Sequence, residues 1–390
     1  MNNKKINQNK IAIFHLSLFG GGGEKVLLDL AKGFAESNIE VDLLLGKTKG
    51  QFSEKNLGDV NVINFNSRRI SFNIPKLTSY LRRERPVSIL VTSEHSAIIV
   101  IFAKLFSFTD TKVFIRVGNP YSILFKRYNN MRDKLTIPPL TRLLYRFAHG
   151  FVANACGIAD DFARTIGISR DRVSVIHNPK FIEDIQKKTK EPVDHAWFKN
   201  KNVPIVITNA RISVQKNLET LLHAVAVIKK KRNIRLIVVG HGGGDELRKL
   251  AEDLDIADSI DVLGFVQNPY AYMAQSDMFV LPSLWEGLPN SLIEALVCGV
   301  PAIAGDCIGG GSREILAPDT DIHKRMEFGI EYGKYGILVA PKDIEAIVQA
   351  IEELLDNKEL RDKYIEKGLE RSKDFSLFLF LIRCVLLNHF

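Results

Sequence analysis

Two glutamates and two cations in this sequence have the types and spacing to do chemistry. Glu286 and Glu294 lie in the stretch Val280 to Pro301, VLPSLWEGLPNSLIEALVCGVP, and Arg211 and Lys216 lie in NARISVQK. Paired carboxylates suit glycoside hydrolysis or the positioning of a polar ligand. An arginine fork with a lysine point charge suits a pyrophosphate and could neutralise a departing nucleoside diphosphate. With both cations in the same half of the chain as the glutamates, a phosphate ligand fits better than a neutral sugar chain. Plain alternatives stand beside these readings. Arg211 and Lys216 serve equally as solvated loop cations. Ser291-Leu-Ile-Glu294 fits a capping box, in which the glutamate folds back onto the helix start.

Other groups are weaker. Gly20 to Gly23 in FGGGGEK, Gly21, Gly22 and Gly23 among them, would let backbone N–H groups approach a ligand and leave a helix start open to an anion; a flexible turn is the alternative. The run is neither GxGxxG nor a Walker loop. His95 follows the apolar run Val87 to Ser93 beside Glu94, and is expected either to reach donor phosphate or a sugar hydroxyl, or to be structural. His15, His177 and His241 show no metal-ligand spacing, and no nucleophile elbow is present, so no metal site is expected.

The elements that must position these groups alternate at βαβ spacing. Strands are expected at Ile11–Ser17, Val41–Gly46, Val60–Phe65, Val87–Ser93, Lys112–Gly118, Phe151–Ala155 and Val173–Pro179. The segment Phe181 to Val203 breaks the pattern with charges and Pro192. Strands then resume at Ile205–Asn209, Ile234–Gly240, Ile260–Phe265, Asp277–Leu281, Val300–Gly305 and Gly336–Val339, with a helix over Ser291–Cys298 closed by Gly299. The expected fold class is α/β, with two doubly wound parallel-sheet domains facing one cleft. Residues 1–180 form the first domain, 181–203 a linker and 204–374 the second. Residues 375–390 hold an apolar helix that either crosses back to the first domain or touches a membrane.

At 390 residues two domains are the natural division, and no uncharged apolar run approaches the roughly eighteen residues of a membrane span. The basic start lacks a signal-peptide cleavage pattern, and Cys156, Cys298, Cys307 and Cys384 lack disulfide or metal spacing, so a reduced, cytoplasmic setting is expected. Charge is uneven. Residues 1–178 hold 26 Lys and Arg against 14 Asp and Glu, a net of +12, and the remainder 27 against 31, a net of −4. The first half is therefore expected to face something anionic.

Taken together, GGGEKV (Gly21 to Val26), IHNP (Ile176 to Pro179), Arg211 with Lys216, VVGHGG (Val238 to Gly243), LGFVQN (Leu263 to Asn268) and LPSLWEGLPNSLIEAL with CGVP resemble family 4 glycosyltransferases of the GT-B fold. The resemblance spans about Ile11 to Asp374, and DCIGGGSREIL with YGILVAP looks like the bacterial branch that builds surface polysaccharides, O-antigen and capsule included, and lipid-linked oligosaccharides. It implies retaining transfer from a UDP-sugar, a hexose or N-acetylhexosamine, to a lipid-diphosphate-linked saccharide, without cofactor or metal. Arg211 and Lys216 would hold the diphosphate, Glu294 the ribose hydroxyls, and Glu286 would sit near the donor sugar. Gly240, Val266 and Asn268 would receive the base, and the amides of Leu288, Pro289, Asn290 and Ser291 would frame the phosphates. Many relatives carry a histidine where this chain has Arg116 and Asn119, so acceptor contacts do not carry over; an arginine there suits an anionic acceptor. Implied partners are the nucleotide-sugar donor, the acceptor and the anionic inner face of the cytoplasmic membrane, with no nucleic acid. The alternatives are a sugar-nucleotide epimerase of the same fold, and a polyanion-binding protein without catalysis.

Overall fold

A computed structural model describes residues 7–18, 22–47, 57–128, 130–199 and 201–386. The chain divides into two compact units, 1–180 with 377–390, and 181–376.

The first unit carries the strands β1 (Asn7–His15), β2 (Glu40–Leu45), β3 (Asn61–Asn64), β4 (Pro86–Thr92), β5 (Lys112–Val117), β6 (Gly150–Ala153) and β7 (Val173–Val175). They form one parallel sheet in the order β3-β2-β1-β4-β5-β6-β7. Runs such as Ile11 to Phe14 and Ile89 to Val91 are buried on both faces, which is why they read as unbroken apolar segments. Strand β7 is shorter than the expected Val173–Pro179. Beyond Ile176 the chain leaves the sheet, and Asn178 turns to Arg116. The helix Gly22–Glu36 places Gly22 and Gly23 in its first turn.

The second unit carries β8 (Ile205–Asn209), β9 (Arg235–Val239), β10 (Ile260–Gly264), β11 (Met278–Leu281), β12 (Ala302–Gly305), β13 (Ile330–Tyr332) and β14 (Ile337–Val339). Their order is β10-β9-β8-β11-β12-β14-β13, parallel except for β13, which runs antiparallel to β14 at the edge. The expected linker is instead structured. Helices Ile182–Lys188 and Ala196–Lys199 belong to this unit, with Ile185 buried and Trp197 and Phe198 packed on its core. Three apolar anchors among many charges are enough to dock them, although the local pattern shows no period.

The helix Leu377–Leu386 belongs to the first unit. Leu377 seats against Gly33, where a Cβ would meet its Cδ1 at 2.4 Å, and Phe380 meets Phe34 edge-on at 6.0 Å between centroids. Phe378 stays 70% exposed. No helix among the described residues is long and apolar enough to cross a membrane.

Candidate active site

In the second unit the chain leaves β8 and turns over the carboxyl end of the sheet. The Ala210 N–H donates to the Val239 carbonyl at 2.9 Å and the Ile212 N–H to that of His241 at 2.8 Å, laying 210–212 along 239–242. Gly240 is required by this approach. Its φ is +142°, and a Cβ would stand 2.0 Å from the Ala210 oxygen. Arg211 projects from this ledge, exposed and without an ion pair among the described residues.

A 3-10 turn, Val214–Lys216, follows and ends at Asn217, whose φ is +53°. Asn217 Nδ2 donates to the Pro282 carbonyl at 3.1 Å and the Pro341 carbonyl at 2.6 Å, tying the turn to the ends of β11 and β14. The Leu284 N–H donates to the Gln215 carbonyl at 2.8 Å, and Gln215 Nε2 to that of Trp285 at 2.9 Å. Strapped in this way, the two loops bring Lys216 Nζ onto the Glu286 carboxylate. The side chains are only 16% and 8% exposed. Ser283 Oγ donates to the same carboxylate oxygen at 2.8 Å. A carboxylate this desolvated is stable because both donors reach it.

A second buried network underlies that loop. The Glu286 N–H donates to the Ile308 carbonyl at 2.9 Å, and Gly311 packs so closely on Gly287 that a Cβ would stand 1.7 Å from its oxygen. The segment is anchored by Arg313, whose side chain is fully buried. Its guanidinium donates to both Asp306 oxygens at 3.0 and 2.8 Å, to Glu331 at 2.7 Å and to Thr320 at 2.8 Å. Burial alone would favour the neutral guanidine, but the Asp306 and Glu331 carboxylates outweigh it and raise the Arg313 pKa. The bond from Arg313 likewise holds Glu331 below the usual carboxylate range, against its partial burial. Burial pushes the neighbouring Cys307 thiol up to about 12.

The helix Asn290–Val297 begins directly after Pro289, which caps it without a side-chain bond. Ser291 thus falls inside the first turn, and the alternative reading of Glu294, a capping box with Ser291, does not apply. Pro289, at φ −70°, already sets the chain for a helix one residue early. The Glu294 carboxylate, 4% exposed, accepts from Tyr270 Oη at 3.5 Å. Val266 is half-buried near Tyr270 and Leu288 in the same apolar cluster. The Asn268 side chain is otherwise engaged: it caps the helix Pro269–Gln275 and donates to the Lys188 carbonyl at 2.9 Å and to Glu191 at 2.7 Å. A role for Asn268 toward a base is left to its backbone.

Among the sequence candidates, the fold brings Lys216 onto Glu286, sets Arg211 on the ledge that follows β8, and places Glu294 in the helix after the Glu286 loop. Gly22, Gly23 and His95 lie in the other unit, and Gly21 lies outside the described residues. Ser283, Tyr270, Asp306 and Arg313 were not anticipated. Ser283, a small polar residue closing a buried strand, had a local signal; Arg313 and Asp306 stand within the DCIGGGSREIL run, but nothing local marks them as partners, and Glu331 lies 18 residues from Arg313.

The first unit has its own polar clusters. Glu94, at the start of the helix Glu94–Ser107, accepts from Tyr128 Oη at 3.0 Å and pairs with His95 Nδ1 at 3.1 Å. Hydrogen bonding to Glu94 raises the His95 pKa above 6.5, with Asp133 adding to it, against partial burial. A raised value means that the pair adds stability below pH 6.5, and that this is lost as pH rises through the His95 pKa. NMR titration of the His95 ring should give a pKa above 6.5, and Glu94→Gln should bring it to 6.5 or lower. An unchanged value in the variant removes Glu94 as the cause. At the end of β5, Arg116 donates to Asn178 Oδ1, and burial lowers its pKa to about 10. Arg116 Nη1 and Asn154 Nδ2 each lie 3.7 Å from where a Gly118 Cβ would stand. Asn154 Oδ1 is buried without a partner among the described residues.

Two open α/β sheets in succession, the second with a buried lysine–glutamate pair at its strand ends and an exposed arginine on the ledge after β8, define a two-domain enzyme of the GT-B class. The chain belongs to glycosyltransferase family 4: the Glycosyltransferase Family 4 model matches residues 20–179 and the Glycosyl transferases group 1 model residues 189–371. It is 33% identical over 229 residues, 53% of this chain and 55% of the relative, to an uncharacterised glycosyltransferase of Methanocaldococcus jannaschii. It is 26% identical over 378 residues, 94% of this chain and 95% of the relative, to N-acetylgalactosamine-N,N'-diacetylbacillosaminyl-diphospho-undecaprenol 4-alpha-N-acetylgalactosaminyltransferase of Campylobacter jejuni. Among solved structures, Anabaena HepE in complex with UDP-glucose superposes with a TM-score of 0.78 at 19% identity, covering 97% of this chain and 99% of that one.

Proposed function

We propose that this glycosyltransferase moves a hexose or N-acetylhexosamine from a UDP-sugar to a lipid-diphosphate-linked saccharide at the inner face of the cytoplasmic membrane, with retention at the anomeric carbon and without a metal ion. The observation that carries the reading is the buried Lys216–Glu286 pair, with Arg211 exposed on the ledge that follows β8 and without an ion pair among the described residues. Two cations there suit the two charges of a leaving nucleoside diphosphate. In this reading the acceptor hydroxyl attacks C1 from the face that the diphosphate leaves. The C1–O bond to the diphosphate breaks, the new C1–O bond forms, and the hydroxyl proton passes to the departing diphosphate oxygen. Lys216 and Arg211 hold that oxygen's charge. Glu286, itself held by Lys216 and Ser283, positions the sugar rather than attacking it, and Glu294 takes the ribose hydroxyls. The Campylobacter relative is named for transfer to a diphospho-undecaprenol acceptor, which supports the acceptor class. The net +12 of residues 1–178 supports attraction to an anionic membrane surface.

The test is UDP release from a panel of UDP-sugars in the presence of a membrane lipid extract. One hexose or N-acetylhexosamine donor should be turned over only with the extract, giving a product of the donor's anomeric configuration, and EDTA should leave the rate unchanged. Absence of both turnover and binding for every donor sinks the transferase reading. A free, epimerised nucleotide sugar would favour the epimerase instead.

A further inference from the structure

The first unit holds an open cavity of about 750 Å³ that the donor chemistry does not use. Its size falls within the roughly 300–1,000 Å³ of small-molecule sites. The floor is aliphatic and aromatic: Ile74, Ile98, Ile99, Phe102, Ile137 and Leu140 come from the helices Asn73–Glu84, Glu94–Ser107 and Met131–Leu144. The rim is cationic, with Lys47, Arg69 and Arg132, and His95 beside them. Among the described residues no carboxylate lines the cavity. Lys47, Arg69 and Arg132 are exposed, and none has an ion pair among the described residues. The segments forming the rim also expose apolar side chains that a soluble surface has no use for: Ile70 at 42%, Phe72 at 51%, Met131 at 68% and Leu135 at 68%.

A dry floor beneath three unneutralised cations complements one kind of molecule, an amphiphile with a hydrocarbon chain and a compact multivalent anion at one end. A free sugar phosphate would waste the floor, and a neutral lipid would waste the rim. We propose that this cavity takes the first isoprene units of a polyprenyl diphosphate, with Lys47, Arg69 and Arg132 on the diphosphate. The proposal rests on the lipid-linked reading of the acceptor and assigns its lipid end to a site on this chain. Bound this way, the lipid would be recognised by its charged end and nearest carbons, leaving the rest of the hydrocarbon in the bilayer.

Binding to the full chain can be measured by calorimetry with dimethylallyl, geranyl and farnesyl diphosphate, farnesol and inorganic diphosphate. Burying a methylene is worth about fourfold in affinity, so affinity should rise at least tenfold from the five-carbon to the fifteen-carbon diphosphate. Farnesol and inorganic diphosphate should each bind at least tenfold more weakly than farnesyl diphosphate. The surface variant Arg69→Ser with Arg132→Ser should weaken farnesyl diphosphate at least tenfold while leaving UDP affinity and the unfolding midpoint unchanged. Affinity independent of chain length, indifference to the double variant, or displacement of farnesyl diphosphate by UDP would each overturn the proposal. Turnover is not needed for this readout. Farnesyl diphosphate binding in a protein that turns over no UDP-sugar would count against the transferase reading alone, and the converse against the cavity alone.

Discussion

Lys216→Ala is expected to lower kcat/KM for sugar transfer on the order of 10²- to 10³-fold, the scale seen when one charge-stabilising donor is removed from an active site. The same substitution should also cost stability, which a purely catalytic residue would not. Glu286, its side chain 8% exposed, would keep only the Ser283 hydroxyl, at 2.8 Å, as side-chain donor. Breaking a buried pair from one side typically costs about 3–5 kcal/mol, because the remaining charge stays desolvated. The double variant Lys216→Met with Glu286→Gln should therefore recover most of the stability and none of the activity. Denaturant unfolding read beside UDP release separates the two effects. A fully active, fully stable Lys216→Ala protein would remove the pair from the site.

Arg313→Lys should be the most destabilising conservative substitution in the second unit, by about 3–5 kcal/mol. A lysine can reach one carboxylate but cannot reproduce the fork that holds both Asp306 oxygens and Glu331 at once. Stability should also change its pH response. Glu331 is held below its usual range by Arg313, so its contribution is present above the ordinary carboxyl pKa and disappears as pH falls through the depressed value. The wild-type protein should lose stability through that acidic window, and the variant should lose less. Transfer should fall with folding, since the Glu286 N–H rests on Ile308, within the segment that Arg313 anchors. Equal unfolding midpoints for the two proteins would refute this role.

The parallel strands were legible because both of their faces are buried, and unbroken runs such as Ile205 to Ile207 leave little other reading. Edge and surface elements were not. Strand β13, Ile330–Tyr332, keeps no buried side chain, and the helix Lys358–Ser372 buries only Tyr364, Gly368 and Ser372, so neither writes a clear period. The site was half legible. Lys216 and Glu286 stand at strand ends, where chemistry in such sheets collects, but the bond between them spans 70 residues and only the fold supplies it. The alternative capping box at Glu294 is excluded for a local reason: the N-cap is Pro289, two positions before Ser291. The cavity in the first unit was illegible for the opposite reason: its apolar floor comes from three helices, each of which reads singly as ordinary core.

The helix Leu377–Leu386 also sets an order on biosynthesis. It covers Phe34 and fills the groove at Gly33, yet it is translated only after the whole of 181–376. As the chain leaves the ribosome, the second unit can complete itself from one contiguous stretch, while the first waits with an aromatic side chain and a glycine notch bare. The domain that begins first finishes last, and during that interval it is the part of the nascent chain most exposed to chaperones and to aggregation.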